Sequence, residues 1–297
     1  VIKAGDHITI KGCEITNTGT GLAGYGRDIS VIGNWIHGGK HDGIRVNGFW
    51  NSLVEGNLIH DFDDGVTDAE EPTWSRHCDL IHIFIPGPGY AGWQNHNVVF
   101  RNNVLYDAEA QGVQFNNYYA TAATVRNELI TFENNVFGPT HANMFNNADR
   151  CDGLIFRHNT VCKLAEARTY NRWSLSNTTL RIGPSTDVEI YNNILGSVAF
   201  DAGGDVHLFD WNLIQTPGTP VGVDDQRAYG RFTLIGGAAD LVDADAFDGV
   251  LADTSDAINA GTDLFAPNTL WPYDFEGTSR DNRPDLGAWE YPGLTPS

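Results

Sequence analysis

Val98-Val99-Phe100-Arg101-Asn102-Asn103-Val104-Leu105 is one copy of a phrase that reads apolar, any, apolar, any, any, Asn, any, apolar. Further copies are Ile8-Ile10-Cys13-Ile15, Ile29-Val31-Asn34-Ile36, Ser52-Val54-Asn57-Ile59, Ile130-Phe132-Asn135-Phe137, Leu154-Phe156-Asn159-Val161, Val188-Ile190-Asn193-Leu195 and His207-Phe209-Asn212-Ile214. Apolar alternation marks a short strand with one buried face, and Asn followed by one more apolar residue marks a corner leading into a second strand. Asn tolerates left-handed backbone and its amide bonds neighbouring main chain, so Asn is expected at the bend. Units stacked about 4.8 Å apart bring these Asn side chains into a ladder.

Positions 13, 34, 57, 103, 135, 159, 193 and 212 are separated by 21, 23, 46, 32, 24, 34 and 19 residues. The recurring short spacing fits one turn of three strands, the spacings of 32 and 34 fit a turn with an inserted loop, and 46 fits two turns or one with a long loop. This predicts an all-β chain wound as a right-handed, single-stranded parallel β-helix of about eight to ten coils with an irregular C-terminal cap. Residues 1–214 hold the coils and 215–297 the terminal coils and capping segment, as one continuous domain. The regular leucines of a leucine-rich repeat and the strict hexapeptide period of a left-handed β-helix are both missing.

A formal charge of −20 and a pI near 4.6 argue against nucleic acid as a partner, because phosphate binding needs a basic surface. The same charge opposes a polyanionic sugar only at long range, since charges more than about 10 Å apart are screened at ~0.1 M salt. Such acidity fits an extracellular, secreted protein in saline surroundings or simply a soluble surface, and a virion-associated location goes with a viral-tail reading. No apolar run approaches the ~20 residues of a membrane span, so no membrane partner is expected. No signal peptide opens the sequence, and residue 1 is expected to be the start of a processed or trimmed chain. The repeat begins at Ile8 with nothing before it to cover the first coil. Either an N-terminal cap is missing or a second copy, in a homo-oligomer, shields that edge.

Cys13, Cys78, Cys151 and Cys162 lack metal-ligand spacing. Buried thiols are expected, with a Cys151–Cys162 bridge open to an exported chain. The stretch Ser279-Arg280-Asp281-Asn282-Arg283-Pro284-Asp285-Leu286-Gly287-Ala288-Trp289-Glu290-Tyr291 resembles a tail that closes many secreted bacterial β-helix proteins. Its expected role is to cover the last coil and its edge, with Arg280, Arg283 and Asp285 as minor catalytic candidates.

A second phrase follows the Asn corner. It reads Lys40-His41-Asp42-Gly43-Ile44-Arg45-Val46-Asn47, then His77-Cys78-Asp79-Leu80-Ile81-His82-Ile83-Phe84, Glu109-Ala110-Gln111-Gly112-Val113-Gln114-Phe115-Asn116 and Thr140-His141-Ala142-Asn143-Met144-Phe145-Asn146. Period-two alternation buries Ile44 and Val46, Ile81 and Ile83, and Val113 and Phe115, which turns Arg45, His82 and Gln114 outward as one vertical column. Asp42, Asp79 and Gln111 stand one corner away, with Lys40, His77 and Glu109 beyond. Long inserts around Asp63, Asp64 and Trp74, and around Tyr118, flank this face and offer rings for sugars to stack on. His37, His60 and His158 sit beside the Asn corners and read as hydrogen-bonded turn residues.

Residues 7 to 214 resemble the right-handed parallel β-helix proteins of the pectate-lyase-like superfamily, whose members mostly cut or modify polysaccharides. The chain lacks Asp-Pro-His-Glu of the alginate epimerases and Arg-x-Pro-x-x-Arg of the classical pectate lyases, and Asp63-Asp64 is its one echo of the polygalacturonases. The resemblance implies an acidic, uronate-containing polysaccharide as partner. A uronate lyase must neutralise the substrate carboxylate and place a base near the adjacent C–H. Lys40, Arg45, His77 and His82 are the catalytic candidates. His41, Gln114, Asn116, His141, Trp74 and Tyr118 are substrate-binding candidates, and Asp42, Asp63, Asp64 and Asp79 are candidate ligands for Ca²⁺. Ion pairing of these carboxylates with Arg45 and Lys40 is the plainer alternative. Two other functions remain open: a glycoside hydrolase using paired Asp residues, and a carbohydrate-binding or viral-tail β-helix without catalysis.

Overall fold

The computed structural model describes residues 5–65, 78–84, 94–116, 127–147, 151–164, 168–170, 173–201, 206–216, 232–262, 273–281 and 283–291. Each coil contributes three short strands, and strands of successive coils pair in parallel. The first face precedes the Asn corner and includes Ser30–Ile32, His96–Arg101, Asn127–Glu133, Cys151–Arg157 and Val188–Tyr191. The second follows it, with Trp35–His37, Leu58–Phe62, Val104–Ala108, Val136–Phe137, Thr160–Val161 and Ile194–Leu195. The third holds Leu22–Arg27, Ile81–Phe84, Val113–Asn116, Phe145–Asn147, Thr179–Ile182 and Ser197–Phe200, while the long strand Ile44–Glu55 runs from the third face into the first. The chain is a right-handed parallel β-helix. Among the described residues no α-helix occurs, and no helix is long and apolar enough to cross a membrane.

The Asn column forms an unbroken ladder. From Asn34 through Asn57, Asn103, Asn135, Asn159 and Asn193 to Asn212, each Nδ2 donates to the next Oδ1 at 2.9 to 3.1 Å. Each Oδ1 also accepts the main-chain N–H of the preceding column residue, beginning with Cys13 N at 3.0 Å from Asn34 Oδ1. Asn57 and Asn103 bond directly, so the 46-residue interval is one coil with a long loop. One detail differs from expectation. The left-handed residue is the one before the ladder Asn: Gly12, Gly33, Gly56, Asn102, Asn134, His158, Asn192 and Trp211 have φ between +49 and +64°. The ladder Asn is then free to aim its amide along the axis.

Inside the coil, alternation works as the sequence implies. Ile44, Val46, Ile81, Ile83, Val113 and Phe115 are fully buried. Phe100, Phe132 and Phe156 stack above one another, with ring centroids 4.6 and 6.1 Å apart.

The C-terminal segment departs from its expected position. Leu234–Ile235 adds one more strand to the second face. Among the described residues the chain then lies along the outer side of that face, packing on Ile194 and on Leu213 of the last coil. Phe247 and Trp289 pack with Val136 and Cys162, Ala288 N bonds Thr160 Oγ1, and Asn134 Nδ2 bonds the Tyr273 carbonyl. Arg280, 6% exposed at its side chain, bonds Glu290, Asn134 Oδ1 and the carbonyls of Gly287 and Ala288, which gives it a structural role. All four cysteines are free, so Cys151 and Cys162 are not bridged, and Cys13 is exposed where a buried thiol was expected.

Candidate functional site

The corner between the second and third faces stacks tightly. Gly43 N bonds the Asp79 carbonyl at 2.8 Å and Leu80 N the Gln111 carbonyl at 3.1 Å. A Cβ on Gly43 would stand 2.5 Å from the Leu80 carbonyl oxygen, so only glycine lets the coils approach here. This closeness places Asp42 directly against Asp79, and Arg45 is the strand partner of His82. The column expected to turn outward continues through the strand partners Arg45, His82, Gln114, Asn146 and Arg181, but His82, Gln114 and Asn146 are buried.

Asp42 and Asp79 have no side-chain exposure, and His82 is 7% exposed. His82 Nδ1 lies 3.3 Å from Asp42 Oδ2 and 3.5 Å from Asp79 Oδ2. Arg45 closes on the same Asp42 oxygen at 2.5 Å through one terminal nitrogen and 2.7 Å through Nε. Burial alone raises the Asp42 carboxyl, but the hydrogen bond and charge of His82 and the charge of Arg45 outweigh it, so it sits below its usual range. Arg45 is therefore committed to Asp42, in line with the plainer ion-pair alternative.

Asp63 and Asp64 belong to a different cluster, with Glu109. Asp63 N bonds the Gly39 carbonyl at 3.1 Å, beside the exposed Lys40, and Asp64 N bonds Glu109 Oε2 at 2.9 Å. One oxygen from each of Asp63, Asp64 and Glu109 lies within 4.8 Å of the others, as do ligand atoms of Asp42, Asp79 and His82. The four aspartates are thus split between two groups instead of forming one cage. Burial, together with the charges of Asp64 and Asp63, pushes the Glu109 carboxyl up to about 7 against hydrogen bonds from Asp64 N and Cys78. The donor chemistry separates the groups. Three carboxylates suit a hard, oxygen-seeking cation such as Ca²⁺, whereas the Asp42 group already holds a guanidinium and an imidazole.

Other candidates scatter. Gln114 spends its Nε2 on the Phe115 carbonyl at 2.8 Å and its Oε1 on Asn146 at 2.8 Å, and Asn116 is buried. His41 is half-buried at the corner. His141 is exposed one coil beyond Glu109, its N bonded to the Ala108 carbonyl. His77, Trp74 and Tyr118 lie outside the described residues. His37 pairs with Glu14, and His60 Nε2 accepts from Trp35 Nε1 at 2.7 Å. Glu109 was visible as the column-mate of Lys40 and His77, but its chemistry depends on the loop carrying Asp63 and Asp64.

Residues 1–161 match the family model described as a right-handed beta helix region. Among solved structures, a crystal structure of pectate lyase Pel9A superposes with a TM-score of 0.51 at 16% identity, covering 97% of this chain and 72% of that chain. No curated protein matches in sequence. At that identity the likeness carries the fold and not the reaction.

Proposed function

The chain belongs to the right-handed β-helix family, and on that premise we propose that it is a polysaccharide lyase acting on an extracellular, uronate-containing polymer. The observation that carries this reading is the oxygen-only cluster of Asp63, Asp64 and Glu109 beside Lys40 and next to the Asp42–Arg45–His82 group. A Ca²⁺ held by those three carboxylates would supply positive charge to a uronate carboxylate, making the neighbouring C–H acidic. Lys40, exposed at the same rim, is the base that takes that proton. The C–H electron pair becomes the new C=C bond as the glycosidic C–O bond breaks, and the leaving oxygen takes a proton from water or a groove acid. Asp42 and Asp79 orient His82, and Asp42 holds Arg45 at the groove edge, where the pair lines the substrate's path.

One observation favours a hydrolase as the second reading. Glu109, its carboxyl pushed up to about 7, stands beside the Asp64 carboxyl, and a proton-holding acid next to a second carboxyl is the pair glycosidases use. Incubation with pectate, alginate and glycosaminoglycan polymers separates the two. The lyase gives ultraviolet absorbance of the unsaturated product, lost with a calcium chelator and in Lys40→Ala and Glu109→Gln. New reducing ends without that absorbance overturn the lyase in favour of the hydrolase. Neither signal leaves a binding protein.

A further inference from the structure

Beyond the acidic cluster, the same corner opens into a cavity of about 380 Å³ that the proposed chemistry does not use. Its walls include His141, Lys163, Asn177, Thr178, Thr179 and Ser197. Strand pairing aligns Leu180 with Phe145, Val113, Ile81 and Ile44. Thr178 therefore stands in the same vertical column as Asp42, Asp79 and Gln111. From the Glu109 coil to Thr178 is two coils and from the Asp64 coil three, about 10 to 14 Å at about 4.8 Å per coil.

We propose that this cavity is a second binding site for an acidic sugar residue of the same polymer chain that occupies the Asp63–Asp64–Glu109 region. The proposal rests on the uronate reading above. Two features of the wall set the ligand class. Hydroxyl and amide groups dominate, with Thr179 Oγ1 and Ser197 Oγ 2.9 Å apart and Asn177 Oδ1 accepting Thr179 N at 2.9 Å, so donors and acceptors are held in fixed directions for sugar hydroxyls. Lys163, an exposed point charge in a chain of formal charge −20, adds the positive group that a carboxylate requires. The volume falls in the range of small-molecule sites, which begins near 300 Å³. Because both sites lie on one straight corner, a single extended chain reaches them together, and occupancy of the first raises the local concentration at the second.

Calorimetric titration of the whole protein with dimers and hexamers prepared from pectate and from alginate, and with neutral maltohexaose, tests this. A dimer that fills one site is too short to fill the other as well, whereas a hexamer spans both. One of the two uronate hexamers is expected to bind about tenfold more tightly than its dimer, and Lys163→Ala is expected to remove that gain. Lys163→Arg keeps it, and both variants keep the thermal midpoint of the parent. Equal hexamer binding by parent and Lys163→Ala, no binding of either uronate hexamer, or maltohexaose binding as tight as the uronate hexamers overturns the proposal. A Lys163-dependent hexamer gain without unsaturated product removes the lyase reading and keeps the pocket. Unsaturated product without the gain does the reverse.

Discussion

Glu109 shows how one residue acquires chemistry that its type does not carry. Its carboxyl sits at about 7 instead of 4.5 because burial and the Asp64 and Asp63 charges disfavour ionisation. The folded value lies above the unfolded one, so the favourable contribution of protonated Glu109 is complete below about pH 4.5 and is lost as pH rises through about 7. Glu109→Gln removes the buried charge and keeps an oxygen for Asp64 N. Denaturant unfolding is expected to show the variant more stable than the parent by about 2 kcal/mol at about pH 8 and equal to it at about pH 4. Equal stability at the higher pH would mean that Glu109 ionises without penalty. The sequence placed Glu109 in the column of Lys40 but gave no sign of this shift, which depends on a loop 45 residues earlier laying Asp64 N on its carboxylate. Arg45 carries the same lesson. Register made it the neighbour of His82, but its commitment to Asp42, three residues before it, depends on side-chain geometry.

Among the elements, the Asn corner is the one whose removal costs most per atom. Asn135 Oδ1 accepts from Asn103 N and Nδ2, and its own Nδ2 donates to the Phe100 carbonyl and Asn159 Oδ1, all buried. Asn135→Ala leaves several buried groups unpaired at once, and a loss of roughly 3 kcal/mol is expected. Asn34→Ala, at the partly buried start of the ladder beside the exposed Cys13, is expected to cost about 1 kcal/mol. Chemical denaturation of the two variants checks the gradient, and equal costs would show that the ladder adds nothing beyond local turn formation. The corner was legible because it repeats in seven copies. Its left-handed residue was not, because Gly, Asn, His and Trp all fill that place and composition there has no common signal.

Across the whole molecule, the C-terminal segment acts as a strap that ties distant coils together. Arg280 is its anchor, bonded to Glu290 within the strap and to Asn134 on the coil. Arg280→Met strands the Glu290 carboxylate in a buried site, and a loss of roughly 3 kcal/mol is expected, about what breaking a buried pair costs. Hydrogen exchange should locate it: residues 273–291 lose protection first while the Asn ladder stays protected. Simultaneous loss in both would make strap and coil one cooperative unit. By itself the sequence determined the winding, the register of the three faces and which side chains fill the core, though not that His82 and Gln114, expected to face outward, are buried. Those follow from period-two alternation and corner spacing, which act over a few residues and are copied from coil to coil. Only the tertiary structure decided that the four aspartates divide between two clusters, that Arg45 closes on Asp42, and that the tail lies along the side of the coil. Each of these is a contact between groups that no repeat relates, chosen by which desolvated charge or exposed apolar surface finds a partner within reach.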